Sequence, residues 1–499
     1  MTSSASPTPP TAADGALSAS FVQLVRHHAD AAPAAPAVTD QSGTLTREEL
    51  ERRSNRLARA YAGLGVGPGD IVAIALPNGT AFVEAMLAVW KLGAVPQPMS
   101  HRLPPRELEA IVAVSSPALV VGLEAPAGTP SVPREFTAAA ADDPLPSQVS
   151  PYWKAATSGG STGAPKVIVA LQEARGDALL PLLPLLRLEP GATVLAATPL
   201  SHNAGFMWAS AALISGGHLV LMEKFDAEAA LARIERHKVE WTFFVPTMLH
   251  RIARLPDEIR NRYDVSSLTT MMTGAAMCAP WIKDFCVDWL GPDRVFELYA
   301  ATEAQAAAVT DGHGWRSHPG SVGRVVLGEV EVRDAEGRAL PDGEVGELWV
   351  RRGPEMAAHY RYLGAAAQRD AGGWETVGDM GRLEGDWLYL TDRKTDMVVV
   401  GGANVFPAEV EAALDEHPLV GSSCVVGVPD DEYGQVLHAV VHTIGEVSDE
   451  ALLVHLKKRL VPYKMPHGFS RSDTPLRDDA GKVRRSKIRE DVLAVIANG

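Results

Sequence analysis

The chain has 499 residues, more than one hydrophobic core usually serves, so we expect two or more domains. Hydrophobic residues make up 46% and charged residues 21% of the chain, a composition that is typical of globular enzymes and excludes extensive disorder. The formal net charge of −15 argues against nucleic acid as a partner of the chain as a whole.

The first twenty residues are rich in Ser, Thr, Pro and Ala and contain no Lys or Arg. Without a basic start or an apolar core segment, they match neither a secretory signal nor a transit peptide. We interpret residues 1–20 as a disordered leader.

Helix and strand patterns alternate up to about residue 320. Apolar residues at helical spacing predict helices at 21–28, 47–63 and 80–92, and Thr46 before an acidic first turn is typical of a helix N-cap. Short apolar runs predict strands at 71–76, 94–97, 119–121, 193–197 and 218–221. The alternation indicates an α/β body with largely parallel sheets.

The longest apolar tract, residues 206–222, is interrupted by Ser, Gly and His residues. It predicts a buried helix, a turn and a strand, and we expect no membrane span. The three cysteines, at positions 278, 286 and 424, lack metal-ligand spacing. An odd number of cysteines without a secretion signal is typical of reduced thiols, so we expect a cytoplasmic protein without disulfides.

The pattern changes after residue 320, where Gly, Asp and Glu separate short strands such as 330–332 and 347–350. This predicts a small β-rich subdomain at the end of a large N-terminal domain, residues 21–391. A charged run at 392–396 follows and is interpreted as a hinge. Beyond it, alternating helix and strand patterns predict a small α+β domain, residues 397–499.

The most informative segment is 157–166, T-S-G-G-S-T-G-A-P-K, which lies between two strand-like runs. Glycines let successive N–H groups converge on an anion, hydroxyls add donors, and Lys166 adds positive charge. The segment lacks the P-loop pattern G-x-x-x-x-G-K-[ST], and Pro165 disfavours the helix that a P-loop opens. The alternative is a Gly/Ser linker, which has no reason to end in Pro-Lys. We predict a different phosphate-binding loop, formed by Ser158, Gly159, Gly160, Ser161, Thr162, Gly163 and Lys166.

This loop and the segments after it resemble, in order, the motifs of the adenylate-forming superfamily, which includes acyl-CoA synthetases, peptide-synthetase adenylation domains and luciferases. The matching segments are 157–166, 200–203, 273–276, 297–303, 343–360, 378–379, 392–393, 401–409 and 481–485. The resemblance covers nearly the whole chain. It implies the fold of that superfamily, in which the small C-terminal domain is mobile.

The resemblance also implies a reaction. A carboxylate attacks the α-phosphorus of ATP, where two anions must meet. Lys482 would bridge the carboxylate and the α-phosphate, while Glu303 would bind Mg²⁺. Thr302 and His202 complete the implied catalytic set, although a histidine before Asn can equally be an ordinary buried side chain.

The nucleotide contacts implied by the resemblance come from several segments. Tyr299 would stack on adenine, Asp379 would accept hydrogen bonds from the ribose hydroxyls, and Arg393 would contact ribose or phosphate. Taken singly, each of these residues has a plain structural explanation, but their occurrence in order favours the functional one. The remaining predicted cofactor contacts are Gly274, Ala275, Ala276, Ala300, Gly401 and Gly402.

The acyl pocket implied by the resemblance is lined by His202, Asn203, Phe206, Met207, Val245, Gly274 and Ala300. Small residues, among them Gly205, would leave room for a large acid, and apolar neighbours would form a wall. The chain has Gly159 where the family usually has Ser or Thr, Ala300 where it usually has Gly, and Thr395 where it usually has Lys or Asp. These departures are similar to those found in ligases for bulky polycyclic acids, of the bile-acid or terpenoid type.

The 401–405 loop resembles that of CoA-forming members, so we expect an acid:CoA ligase with ATP, Mg²⁺ and coenzyme A as cofactors. Two alternatives stay open: an enzyme that stops at acyl-AMP or loads an acyl-carrier protein, and a non-catalytic acyl-AMP binder. Assembly of two copies of the chain into a homodimer also stays open. Residues 451–499 form a basic tail, with eleven Lys and Arg against five Asp and Glu. The tail lacks the aromatic residues that stack on RNA bases, and it offers candidates for the CoA phosphates. These candidates are Lys457, Lys458, Arg459, Lys464 and Arg471.

Overall fold

The computed structural model describes residues 12–159, 165–353, 358–430 and 432–498. Two compact units divide the chain: residues up to 243 with 263–270 and 357–366, and residues 244–262, 271–356 and 367–499. The predicted hinge falls inside the second unit, so the predicted domain boundaries and the hinge at 392–396 stay predictions. In the described part, no helix is long and apolar enough to cross a membrane.

The α-helices of the described residues are numbered α1 to α14 in chain order. They are Ala12–Ser18, Phe21–Ala31, Arg47–Gly63, Thr80–Lys91, Pro105–Ser115, Asn203–Ile214, Ala227–His237, Pro246–Ala253, Asp257–Arg260, Pro280–Leu290, Gly312–Ser317, Pro407–Asp415, Asp449–Lys457 and Arg485–Asn498. Short 3₁₀ helices cover Gly176–Ala178, Leu180–Leu182 and Pro462–Lys464.

The strands of the first unit are numbered β1 to β11. They are Pro36–Asp40, Gly43–Thr46, Ile71–Ile74, Val95–Pro98, Leu119–Val121, Ser131–Val132, Ala155–Gly159, Pro165–Ala170, Thr193–Ala196, His218–Leu221 and Trp241–Phe244, with Tyr360–Leu363 (β18) added later in the chain. Strand β3 runs parallel to β4 and β5, and β9 runs parallel to β10 and β11. The predicted parallel α/β body is therefore confirmed.

The remaining strands belong to the second unit. They are β12 to β17, Thr270–Gly274, Val295–Ala300, Ala307–Asp311, Gly323–Leu327, Glu329–Arg333 and Gly346–Arg351, and β19 to β26, Gln368–Arg369, Glu375–Glu384, Trp387–Arg393, Val398–Val400, Ala403–Val405, Val420–Asp430, Gly434–Thr443 and Gly468–Ser472. Strands β13, β14, β15, β21, β20, β17 and β16 pair in that order, all antiparallel. The β-rich region predicted after residue 320 is present.

Helix α3 forms where its cap predicts. The Thr46 hydroxyl accepts the Glu49 N–H at 3.2 Å, and the Glu49 carboxylate accepts the Thr46 N–H at 2.8 Å. This reciprocal capping box satisfies donors that the first helical turn leaves open. The helix buries one apolar face, which includes Leu50, Ala58 and Tyr61.

The segment before residue 21 differs from the predicted leader. Residues from 12 onward are described, and Ala12–Ser18 is helical. The Ser20 hydroxyl caps α2, and the backbone N–H of Gly176 donates to the Ala19 carbonyl at 2.9 Å. A methyl group at Gly176 would lie only 3.1 Å from the Ala16 carbonyl carbon. Long-range packing thus orders part of a segment whose composition alone indicates disorder.

The C-terminal part of the second unit is built on the hairpin of β24 and β25, with β26 parallel to β25. Side chains of β24 alternate between two apolar clusters: Val425 packs in the cluster of α12 and α13, while Cys424 and Val426 pack with residues of α14. This period of two is expected for a strand covered on both faces.

Candidate nucleotide and acyl site

Tyr299, Asp379 and Arg393 lie together in the second unit. Tyr299 is the penultimate residue of β13, and Asp379 on β20 pairs in register with Arg393 on β21. The Tyr299 hydroxyl donates to Asp379 Oδ2 at 2.7 Å, and Arg393 Nε lies 3.4 Å from Asp379 Oδ1. The antiparallel sheet thus assembles three residues that the sequence assigns to one nucleotide.

The electrostatics of Asp379 suit hydrogen bonding to neutral hydroxyls. Burial raises the pKa of its carboxyl, while Arg393 and the Tyr299 hydroxyl act in the opposite direction. The Asp379 side chain is 16% exposed and the Arg393 side chain 61%. Since a carboxylate offers about four acceptor positions, Asp379 can accept further hydrogen bonds.

Glu303 lies on the loop after β13 and is buried, with 5% of its surface exposed. The next residue, Ala304, has a positive φ of 53°. Its backbone N–H donates to the Ala301 carbonyl at 3.0 Å, and its carbonyl accepts from Arg352 at 2.9 Å. A non-glycine residue in this region costs about 1 kcal/mol or more and is found most often at functional sites.

The 273–276 turn carries a second such residue. Strand β12 ends at Gly274, and Ala275 has a φ of 66°. Ala275 is exposed and Ala276 half-buried, while the buried Thr273 hydroxyl has no hydrogen-bond partner among the described residues. Ala300, at the end of β13, is also exposed. The small side chains of Ala275, Ala276 and Ala300, which are predicted cofactor contacts, are therefore at least partly accessible.

Lys482 projects from a tight turn of residues 478–482. The Asp478 carboxylate accepts the N–H groups of Ala480 and Lys482, each at 2.9 Å. The Lys482 residue is exposed, yet burial lowers the pKa of its ammonium group. Asp478 and Glu303 raise this pKa and Arg393 lowers it, so the charges of Glu303 and Arg393 act on the ammonium. Asp478 carries no sequence signal beyond turn propensity and was not among the predicted residues.

The residues of this region fit a magnesium ion that arrives with ATP. The described part contains no group of three or more His, Cys, Asp or Glu side chains suited to a metal ion. Mg²⁺ commonly uses one or two carboxylates together with substrate phosphates and water. The buried carboxylate of Glu303, beside the half-buried Thr302, supplies the one protein carboxylate that this mode requires.

In the first unit, the predicted phosphate loop lies between two antiparallel strands. Ser158 and Gly159 end β7, opposite Lys166 and Pro165 on β8. A P-loop would enter a helix at this point, so its exclusion is confirmed. Lys166 Nζ lies 4.4 Å from the centre of the Tyr362 ring. The other predicted loop residues, Gly160, Ser161, Thr162 and Gly163, lie outside the described residues.

His202 and Asn203 begin helix α6. His202 occupies the N-cap position and is half-buried, and its carbonyl accepts the first helical hydrogen bond, from Phe206, at 2.9 Å. Asn203 Oδ1 accepts a hydrogen bond from the buried Lys154 Nζ. Lys154 precedes the glycine loop and belongs to no motif, so the sequence did not single it out.

Phe206, one of the residues predicted to line the acyl pocket, is fully buried in the structure. It has no exposed surface and packs against Trp90, Trp153 and Phe82, with ring centres 5.9 to 6.5 Å away. The aromatic neighbours leave no face of Phe206 open, so it belongs to the core. Met207, the next helical residue, is half-buried and stays a candidate.

The small size of Gly205 has a packing explanation in the structure. A methyl group there would lie 2.8 Å from the Pro199 carbonyl carbon and closer still to the oxygen. We expect Gly205→Ala to lower the free energy of unfolding by about 1–3 kcal/mol, because the backbone carbonyl of Pro199 would have to move. Gly63→Ala, with open space around residue 63, is the control. Urea unfolding that gives equal stabilities would contradict this explanation.

The remaining predicted contacts have structural roles in the second unit. Val245 is buried and precedes α8. Gly401 and Gly402 form the turn between β22 and β23 with φ values of 55° and 85°, and a hairpin turn with two positive φ values requires such residues. Three candidates for CoA phosphates pair with carboxylates of their own unit: Arg459 with Glu416, Lys464 with Glu409 and Arg471 with Asp449.

Two family models match the chain. One described as AMP-binding enzyme covers residues 25–361, and one described as AMP-binding enzyme C-terminal domain covers residues 409–476. The chain is 32% identical over 475 residues to a feruloyl-CoA synthase of an Amycolatopsis species, covering 92% of this chain and 96% of that protein. It is 30% identical to the fatty acid–[acyl-carrier-protein] ligase ScoC of Streptomyces coeruleorubidus, over 94% of this chain and 96% of that protein.

The structure is also similar to solved ones. The o-succinylbenzoate coenzyme A synthetase MenE of Bacillus subtilis, in complex with ATP and a magnesium ion, has 25% sequence identity and a TM-score of 0.78. The similarity covers 93% of this chain and 98% of that chain. The predicted fold class, a large α/β N-terminal domain followed by a small C-terminal domain, is confirmed.

Proposed function

Because the chain belongs to the AMP-binding enzyme family, the adenylate-forming superfamily that its motifs predict, we propose that it ligates a bulky hydrophobic carboxylic acid to coenzyme A. Its enzyme class is that of the AMP-forming acid–thiol ligases. The observation that supports the residue assignment is the cluster of Tyr299, Asp379 and Arg393, with Lys482 within electrostatic reach of Arg393 and Glu303.

The first step joins the acid to AMP. A carboxylate oxygen attacks the α-phosphorus of ATP, the bond to the bridging oxygen breaks, and pyrophosphate leaves with its electron pair. Lys482 reduces the repulsion between the two anions, and Asp379 and Tyr299 hold the ribose and adenine. Glu303 would hold a Mg²⁺ ion that binds with ATP, and such an ion would supply positive charge that offsets the phosphate charge.

The second step transfers the acyl group to a thiol. The CoA thiol loses its proton to solvent and its sulfur attacks the acyl carbonyl carbon; the bond from that carbon to the phosphate oxygen breaks, and AMP leaves with the electron pair. We propose that the C-terminal domain rotates about residues 392–396 between the steps, removing Lys482 and bringing the Gly401-Gly402 turn to the CoA channel. Thr395 is exposed at this hinge.

A bulky hydrophobic acid is the proposed substrate class. Ala275, Ala276 and Ala300 present small side chains at accessible positions. His202 and Met207, which belong to the first unit, are both half-buried, and their role as acyl contacts stays a prediction. The similarity to a feruloyl-CoA synthase adds bulky aromatic acids to the polycyclic acids that the sequence predicts.

Transfer to an acyl-carrier protein is the second candidate function. The similarity to ScoC, named as a fatty acid–[acyl-carrier-protein] ligase, favours it. Both candidates share the first step and differ only in the thiol that accepts the acyl group. To distinguish them, the enzyme and preformed acyl-AMP are incubated either with CoA or with an acyl-carrier protein that bears phosphopantetheine. The thiol that becomes acylated identifies the acceptor.

The cysteines take no part in the proposed transfer. Cys278, Cys286 and Cys424 are free and buried, and burial raises the pKa of the Cys278 thiol to about 12. A thiol of that pKa is almost wholly protonated at neutral pH and is a poor nucleophile. Free thiols also support the proposal of a cytoplasmic location.

Pyrophosphate release over a panel of acids tests the function. The panel contains ferulate, a long-chain fatty acid, cholate and acetate, each with ATP and Mg²⁺. We expect release with at least one bulky acid and little with acetate. If no acid of the panel causes pyrophosphate release while the protein still binds the nucleotide, the alternative of a non-catalytic acyl-AMP binder is favoured.

A further inference from the structure

Arg254 contacts the end of a helix that follows the predicted hinge. It is the C-cap residue of α8, and its Nη2 lies 3.3 to 3.4 Å from the backbone carbonyl oxygens of Asp415, Glu416 and His417. These carbonyls belong to the C-terminal end of α12. The last turn of a helix carries unsatisfied carbonyls with partial negative charge, so a guanidinium stabilises it.

The ring of Trp281 packs against this guanidinium. Its Cζ lies 4.9 Å from the centre of the Trp281 ring, a cation–π distance. His250, one turn earlier, is buried, and burial together with Arg254 lowers the pKa of its imidazole to about 4. It is therefore neutral at neutral pH, and Arg254 supplies the cationic contact to α12.

The other end of α8 contacts the turn that carries Lys482. Gly481 has a φ of 75°, and a methyl group there would lie 3.4 Å from Thr247 Oγ1 and 3.5 Å from Val245 Cγ2. Val245 and Thr247 are the N-cap and second residue of α8. One short helix thus contacts both the Lys482 turn and the end of α12.

The predicted hinge separates these partners along the chain. Helix α8 precedes residues 392–396, whereas α12 and Lys482 follow them. The Asp392 carboxylate accepts the N–H of Ala408 at 2.9 Å, so α12 is held at its start by the hinge and at its end by Arg254. A rotation about the hinge would therefore separate Arg254 from α12.

We infer that α8 is the docking site that positions Lys482 for acyl-AMP formation, with Arg254 as a positioning residue that acts only in that step. This inference rests on the proposed function. Arg254 contacts neither the nucleotide residues nor Lys482 directly in the contacts described above. We expect Arg254 to raise the fraction of molecules in the arrangement that holds Lys482 within electrostatic reach of Glu303.

Separate assays of the two steps test this inference. With the best acid of the panel, we expect Arg254→Ala to slow pyrophosphate release about tenfold, the effect of a favourable helix-terminus charge. The rate of thioester formation from the chemically prepared acyl-AMP of that acid and CoA should not fall, since α12 has left Arg254 in that step and losing the contact cannot lower the population of that arrangement. Arg254→Lys should restore part of the first rate.

Arg251→Ala is the matched control, because Arg251 is exposed on the same helix and its replacement removes the same charge. It should leave both rates unchanged. Equal slowing of both steps by Arg254→Ala, or no slowing of either, would overturn the inference. If Arg254→Ala does not fold, as judged by circular dichroism, Arg254→Gln and Arg254→Lys carry the same comparison. A wild-type protein that releases no pyrophosphate with any acid refutes the proposed function instead.

Discussion

Replacing Lys482 with alanine is expected to slow acyl-AMP formation by about 10²- to 10³-fold, because a charge that stabilises a transition state contributes about 3–4 kcal/mol. The Lys482 ammonium lies within electrostatic reach of Glu303 and Arg393 and is carried on a turn ordered by Asp478. Acid-dependent pyrophosphate release measures this step. Conversion of supplied acyl-AMP and CoA to the thioester should remain.

Lys487→Ala is the control for this experiment. Lys487 lies five residues further along, is exposed on α14 and pairs with Asp491 at 2.7 Å. Its replacement should change neither step, because surface ion pairs of this kind contribute little. Equal loss of both half-reactions in Lys482→Ala would refute the assignment of Lys482 to adenylation alone.

Replacing Asp379 with asparagine is expected to lower kcat/KM for ATP by about 10- to 100-fold. The substitution keeps the shape of the side chain but removes the charge, and hydrogen bonds to charged groups contribute about 1.5–3 kcal/mol each. It also leaves Arg393 without its carboxylate at 3.4 Å. Initial rates of pyrophosphate release at varied ATP and saturating acid measure the effect.

Asp386→Asn is the matched control, since Asp386 is exposed and pairs with Arg324 in the same β-rich region. We expect its KM for ATP to equal that of the wild type. If Asp379→Asn also leaves kcat/KM for ATP unchanged, the ribose assignment of Asp379 is wrong.

Local signals predict much of this fold. The capping box of Thr46 and Glu49 is a contact within four residues, so the sequence carries all of it. The continuous apolar run at 424–428 likewise predicts a strand, and the structure covers that strand on both faces, as Val425 and Val426 show. The family and enzyme class were predictable because many short motifs occur in order, and both are confirmed.

Long-range packing limits what the sequence predicts. Phe206 and Gly205 belong to a motif region, but their environment depends on Trp90 and Pro199, which no local pattern connects to them. Arg254 belongs to no motif at all, since its role depends on α12, more than 150 residues away. Such residues become visible only when the fold brings distant segments together.

Product analysis with and without CoA tests the central claim most directly. The wild-type protein is incubated with ATP, Mg²⁺ and the best acid of the panel, and the products are identified by mass spectrometry. We predict acyl-AMP and pyrophosphate without CoA, and acyl-CoA with AMP once CoA is added. Acyl-AMP that persists unchanged in the presence of CoA would contradict the ligase assignment.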